Sequence, residues 1–190
     1  MDGLRWTEIA TPFGGFVVAW TGNEQPVVRA AGFASVTEVL SRLPASGQHA
    51  PRRTSASDLP RSLTARGVST LPVIRDDGAS VVRSAVLAHL DGDREAYDRL
   101  QVDQPGPDFH HACWEAIRET RFGERLSYGQ VARAAGAPRG ARAAANACAA
   151  TRVSWIIPVH RVIMADGSLG GYGGREDLKE ALLDWEASLL

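Results

Sequence analysis

Cysteine, lysine and long apolar runs are all scarce in this chain, and each scarcity removes a class of answers. The 190 residues hold two cysteines, Cys113 and Cys148, too few for the disulfide framework that staples small secreted domains. No Cys/His spacing has the pattern of a zinc site, and no cysteine precedes Cys113, so neither a metal nor another cofactor is expected. No stretch approaches the roughly 20 apolar residues of a membrane-spanning helix, and no early segment joins a basic start to a long apolar core. The expectation is a cytoplasmic protein with no membrane association. The formal net charge of -1 argues against indiscriminate binding to nucleic acid. Lysine occurs once, as Lys179. The Arg-rich, Ala-rich usage fits a GC-rich genome rather than a function.

The charge that is present is unevenly placed. From Arg118 to Arg161, arginines stand at 118, 121, 125, 133, 139, 142, 152 and 161 against only Glu119 and Glu124. Such a basic stretch fits a phosphate-contacting face. On charge alone, a solvated helix surface explains it equally well.

Periodicity organises the chain into two parts. Residues 4–10 and 16–20 are apolar-rich runs split by Thr11-Pro12-Phe13-Gly14-Gly15, which predicts a hairpin. Ser35–Leu43 carries Val36, Val39, Leu40 and Leu43 at helical spacing, with Ser35 or Thr37 as its cap. Pro44–Pro60 lacks periodicity and is expected to be a loop. Residues 79–90 place Val82, Ala85, Val86 and His89 or Leu90 on one helical face. Asp91 to Pro107 is polar, and Gln104-Pro105-Gly106-Pro107 is the candidate linker. Beyond it, Phe109–Glu119 predicts a helix capped by Asp108, with Phe109, Ala112, Cys113, Ala116 and Ile117 inward. Ser127 caps a helix running to about Ala135, broken at Gly136-Ala137-Pro138, and an Ala-rich helix covers about Arg139 to Ala150. Two short helices joined by a Gly-containing turn outline a helix-turn-helix. Trp155-Ile156-Ile157-Pro158 reads as a short buried segment, and Leu178–Leu190 as a closing amphipathic helix. The expected fold class is α+β. A small N-terminal sheet-plus-helix domain, 1–104, precedes a helical C-terminal domain, 105–190, with a winged-helix-like helix-turn-helix.

The run Pro158-Val159-His160-Arg161-Val162-Ile163, followed by Gly170-Gly171-Tyr172-Gly173-Gly174, resembles the active-site segment of the O6-alkylguanine-DNA alkyltransferases. The resemblance is specific from Phe109 to Glu186 and looser before it, where the Thr-Pro-x-Gly turn is similar to the family's opening hairpin. It implies a helix-turn-helix that enters the minor groove. Ala141-Arg142-Ala143 matches the sequence whose arginine intercalates where a flipped base has left the stack. Small alanines allow close groove approach, and a long planar cation can fill the vacancy. Tyr128 matches the tyrosine that presses on the 3′ phosphate and lines the base pocket. Tyr172, Gly173 and Gly174 match the loop beside the flipped base, with Val162 also in the pocket. Glycines there let the backbone come close to a ligand.

The departures from the family pattern lie at the reacting centre. Where the family has its alkyl-accepting cysteine, this chain has Val159, which has no lone pair and no ionisable proton; a cysteine reacts as thiolate. His160 and Glu186 match the family's proton relay and are expected to survive as a structural hydrogen bond. Arg161 is expected to buttress the segment. Thr151 stands where the family has an asparagine hinge, and Gly173 replaces the serine of some relatives. Cys113 and Cys148 are expected to be inward, inert thiols, and His110-His111 to be helix surface.

The reading that follows is a non-enzyme similar to the alkyltransferase-like proteins. It would be a monomer that binds O6-alkylguanine in double-stranded DNA, flips it without repairing it, and marks it for nucleotide excision repair proteins. Two alternatives stay open. One is a non-flipping DNA-binding or regulatory protein that uses only the helix-turn-helix. The other is an active enzyme with a displaced nucleophile.

Overall fold

The computed structural model describes residues 3–43, 73–78 and 80–190; the loop expected at Pro44–Pro60 lies outside them. The chain divides into two compact units, Met1–Pro105 and Gly106–Leu190.

The first unit is built on the predicted hairpin. Strand β1 (Leu4–Thr11) pairs antiparallel with β2 (Gly14–Thr21), in a register running from Leu4 opposite Thr21 to Thr11 opposite Gly14. Only Pro12 and Phe13 lie outside the ladder. The turn is held by the Thr11 hydroxyl, which donates to Gly14 O at 2.7 Å and accepts from Phe13 N at 3.1 Å, and by Gly14 at φ +106°. Proline presets the first turn residue, and glycine adopts the positive φ that a side chain resists. Strand β3 (Val27–Gly32) pairs antiparallel with β2, with a bulge at Ala19/Trp20, and β4 (Val73–Arg75) lies parallel to β1. Central β2 is buried from Phe16 through Trp20, which explains its unbroken apolar run: both of its faces are covered.

Helix α1 (Val36–Ser41) starts at Ser35, whose hydroxyl accepts from Glu38 N, and packs Val39 and Leu40 against Leu4, Val17, Ala19 and Ala30. Helix α2 (Val81–Leu90) buries the predicted Val82, Ala85, Val86 and His89, and the His89 ring stacks on Tyr97 at 4.1 Å. Residues 91–107 depart from the polar connection expected. Gln101–Val102 forms β5, parallel to β3 at the edge of the sheet, and Ala96, Tyr97, Leu100 and Gln104 are buried. Their spacing is irregular because they sit in turns, so no helical or strand period announces them.

The second unit is helical. Helix α3 (Asp108–Arg118) begins one residue earlier than expected: Pro107 is the cap residue, no side chain caps it, and Asp108 opens the first turn. A carboxylate there still favours the positive end of the helix dipole. Its buried residues are Cys113, Trp114 and Ile117, while Phe109, Ala112 and Ala116 are half-buried. Trp114 was not among the residues expected inward. Its indole Nε1 donates to Ala147 O at 2.9 Å, which satisfies the polar atom that would otherwise oppose burial. His110 and His111 set their rings edge-on to Trp114, half-buried rather than free on the surface. Helix α4 (Tyr128–Ala134) starts with a capping box formed by Ser127 and Gln130, and α5 (Ala141–Ala149) starts at Gly140 with no side-chain cap. Helix α6 (Glu176–Ser188) closes the chain, burying Leu178, Lys179, Leu182, Leu183 and Glu186. Among the described residues, no helix is long and apolar enough to cross a membrane.

Candidate nucleic-acid interface and base site

The segment that holds Val159 is fixed from both sides. Upstream, Trp155 takes φ +74°, an uncommon value for a bulky side chain, and Ile157 N bonds to Val153 O at 3.0 Å. Trp155, Ile156 and Ile157 are almost wholly buried, so packing holds the bend. Val159–Arg161 then forms one turn of 3-10 helix, with Arg161 N bonded to Pro158 O at 3.0 Å. Downstream, Val162–Ile163 (β7) pairs parallel with Leu126–Ser127 (β6), Leu126 opposite Val162 and Ser127 opposite Ile163. Because α4 begins directly after β6, this short ladder brings Tyr128 to the Ile163–Met164 end of the segment.

The chain next turns at Asp166–Ser168, with Met164 N bonded to Ser168 O, and enters the glycine-rich loop. Gly170, Gly173 and Gly174 all take positive φ. A Cβ on Gly170 would stand 3.2 Å from the Tyr128 hydroxyl oxygen, so this backbone passes Tyr128 at a distance that a side chain would crowd. The loop closes with Tyr172 N donating to Glu176 Oε1 at 2.9 Å and Arg175 N to Tyr172 O at 3.2 Å. Tyr128 thus lies near the β7 strand that begins at Val162 and against Gly170 at the start of the loop, with Tyr172, Gly173 and Gly174 following along the chain. Val159 is nearly buried, Val162 fully so, Tyr128 and Tyr172 half-buried, and Gly173 and Gly174 exposed.

Beneath the segment lies a buried charged triad. His160 Nε2 meets Glu186 Oε1 at 2.8 Å, and Arg161 contacts the same carboxylate through Nε at 3.0 Å and Nη2 at 2.9 Å. Arg161 Nη1 donates to Thr120 O at 2.6 Å, and Gly123 N donates to Glu186 Oε2 at 3.2 Å. Burial raises the Glu186 carboxyl, but the bonds from His160 and Arg161 outweigh it and bring the pKa down to about 2. Burial lowers His160 below its ordinary value, and the Glu186 carboxylate restores it only in part. A carboxylate can only accept, so a neutral His160 donates through Nε2 and leaves Nδ1 as the acceptor. Arg161 is therefore a buttress, and its charge does not reach the surface.

Ala141, Arg142 and Ala143 occupy the first turn of α5, with Ala141 and Arg142 exposed and Ala143 half-buried. Arg121, Arg125, Arg133 and Arg139 are exposed with Arg142. Thr151 donates its hydroxyl to Ala147 O at 3.2 Å, holding the end of α5. Cys113 is buried and Cys148 half-buried. Burial raises both thiols, Cys148 to about 12 with a further contribution from Cys113. Among the described residues, no group of three or more His, Cys, Asp or Glu could hold a metal ion.

One residue at this site escaped the sequence reading. Lys179 is completely buried, and its ammonium donates to Val162 O at 2.6 Å and to Leu169 O. The signal was available, because a lone lysine stands among Leu178, Leu182 and Leu183 on the inward stripe of α6.

Residues 108–188 match the family described as 6-O-methylguanine DNA methyltransferase, DNA binding domain. That match runs through nearly all of the second unit. The chain is 42% identical over 102 residues to the bifunctional transcriptional activator/DNA repair enzyme Ada of Escherichia coli, a match covering 54% of this chain and 28% of Ada. It is 41% identical over 101 residues to the methylated-DNA–protein-cysteine methyltransferase of Mycobacterium bovis, covering 53% of this chain and 61% of that protein. In each case the match spans less than two thirds of the relative. Among solved structures, Mycobacterium tuberculosis OGT in complex with DNA aligns with a TM-score of 0.68 at 27% identity, covering 97% of this chain and 94% of that one. The mixed fold, an N-terminal sheet followed by a helical part, is the fold of that methyltransferase.

These relatives correct one expectation. The sequence reading took the chain for a non-enzyme, whereas the proteins it matches carry the names of a repair enzyme and of cysteine methyltransferases. That expectation rested on two departures from the family pattern, Val159 and Thr151. Residue 159 is valine in this protein.

Proposed function

We propose that this protein recognises O6-alkylguanine in double-stranded DNA by binding the minor groove and taking the damaged base out of the stack. The observation that carries the reading is that the β6–β7 ladder sets Tyr128 next to the strand beginning at Val162, while the start of the glycine-rich loop brings Gly170 backbone close against the Tyr128 hydroxyl. This group offers a flipped base one wall of apolar side chains, two tyrosines and a stretch of backbone able to bond a base edge.

The approach to DNA is electrostatic. Arg121, Arg125, Arg133, Arg139 and Arg142 are exposed and free to meet phosphates. Helix α5 contributes a first turn whose N–H groups have no side-chain cap, a setting that favours an adjacent phosphate. Helices α4 and α5 act together as the helix-turn-helix. Arg142, carried between two alanines, has the reach and planarity to occupy the space a flipped guanine leaves. A damaged, weakly paired base is the least costly to extrude. Val159 presents hydrocarbon to the alkyl group with the buried Val162 behind it, while Tyr172 and the Gly173–Gly174 backbone face the base.

The test is affinity for a duplex with and without one O6-methylguanine, at fixed moderate salt. Tighter binding to the lesion by about tenfold, or 1.4 kcal/mol, is the expected result, and Tyr172→Ala should abolish the preference. Equal affinity for both duplexes would overturn the base-reading role and leave a groove-binding protein. Intact-mass measurement on the same mixtures reads any alkyl group taken up by the protein.

A further inference from the structure

The molecule's only lysine is buried and has two backbone carbonyls as its partners. Among the described residues, no carboxylate lies within ion-pair distance of its ammonium. Its neighbours Leu178, Leu182 and Leu183 are apolar core residues, and a leucine or methionine would suit that stripe of α6 better. Removing an ammonium from water is costly unless its protons find acceptors. Burial accordingly lowers the Lys179 pKa, an effect only partly opposed by Cys148 and Glu176. A cation retained in such a place needs a reason, and its two acceptors supply one.

Val162 ends the segment that begins at Val159, and Leu169 immediately precedes Gly170. One ammonium therefore ties the exit of the 3-10 turn to the entrance of the glycine-rich loop. The other end of that loop is held from the same helix, one turn earlier, where Glu176 accepts from Tyr172 N. A loop with three glycines at positive φ has little conformational preference of its own. Its position must be set from outside.

We infer that Lys179 is a positioning residue: its ammonium, shared between the Val162 and Leu169 carbonyls, sets the place of the Gly170–Gly174 loop relative to Val159–Val162. The consequence for lesion discrimination rests on the function proposed above, whereas the clamp itself does not.

Because Lys179 is the sole lysine, 15N-lysine labelling of the full chain gives one side-chain signal. The expected result is an ammonium whose protons exchange at least about tenfold more slowly than those of a solvated lysine. An exchange rate equal to that of free lysine would overturn the clamp without any variant. Lys179→Met then tests position by amide hydrogen exchange. Amides of residues 163–172 should exchange about tenfold faster, with those of 108–150 unchanged. Unchanged exchange in 163–172, or uniform acceleration through 108–190, would refute a specific positioning role. In binding, the variant should lose the preference for O6-methylguanine duplex while keeping its affinity for undamaged duplex within about twofold; a preference equal to wild type would count against the clamp. If the wild-type protein shows no preference, the lesion reading falls, while the two exchange measurements still decide the clamp.

Discussion

Replacing Glu186 with glutamine tests the buried triad through two independent magnitudes. The exchange removes one negative charge at nearly constant shape, leaving the Arg161 guanidinium buried with Thr120 O as its remaining strong acceptor. Breaking a buried ion pair by deleting one partner costs roughly 3–5 kcal/mol. The second magnitude comes from titration. Glu186 has its pKa brought from an ordinary 4.5 to about 2, which corresponds to about 3 kcal/mol at 1.36 kcal/mol per unit. The group is completely buried, so solvent screening does not reduce that figure. For a carboxyl whose folded pKa is depressed, the stabilisation is fully present above the unfolded value. It is lost as pH falls toward the folded one. Urea unfolding of Glu186→Gln against wild type should therefore show a deficit of about 3 kcal/mol at pH 7, and the two proteins should converge between about pH 4.5 and pH 2. At pH 7 the loss corresponds to a fall in Tm of roughly 6–12 °C for a chain of this size. Equal stability at pH 7, or a deficit that does not change with pH, would refute the assignment of Glu186 as the ionised centre of the triad.

Three further outcomes follow from named contacts. Val159→Cys places a thiol next to His160, whose Nδ1 is the free acceptor of the relay. Intact mass should show uptake of one methyl group from an O6-methylguanine duplex; binding without uptake would show that the segment does not present the side chain to the base. Trp114→Phe removes the Nε1 bond to Ala147 O, which keeps the Thr151 hydroxyl as a partner, so the loss in urea unfolding should be near 1 kcal/mol rather than the cost of an orphaned acceptor. Gly170→Ala asks a side chain to adopt φ +66° and to stand 3.2 Å from the Tyr128 hydroxyl. It should destabilise by about 1–2 kcal/mol and weaken lesion preference, and unchanged binding would show that this close approach is dispensable.

Much of the architecture was legible because it is local. The Thr11–Gly15 turn, the Ser35 and Ser127 caps and the apolar stripe of α6 act between residues a few positions apart, so the sequence displays them directly. Residues 96–104 were misjudged because their burial depends on irregular turns meeting a sheet formed elsewhere in the chain. Trp114 was missed because its position off the main apolar stripe becomes favourable only once Ala147 O, thirty-three residues away, offers an acceptor. Arg161 buttresses the segment as expected, and the structure adds that its partner is Glu186.

The order of chemical groups along the chain determined which residues could face DNA and that position 159 carries hydrocarbon. A motif spacing is a property of the covalent chain and needs no folding to be read. Only the tertiary structure decided what Lys179, a lone cation among the leucines of α6, is tied to: the carbonyls of Val162 and Leu169. It also showed that one carboxylate answers for both His160 and Arg161. Those assignments depend on which donors and acceptors are left without water after packing, and that is settled by the fold as a whole.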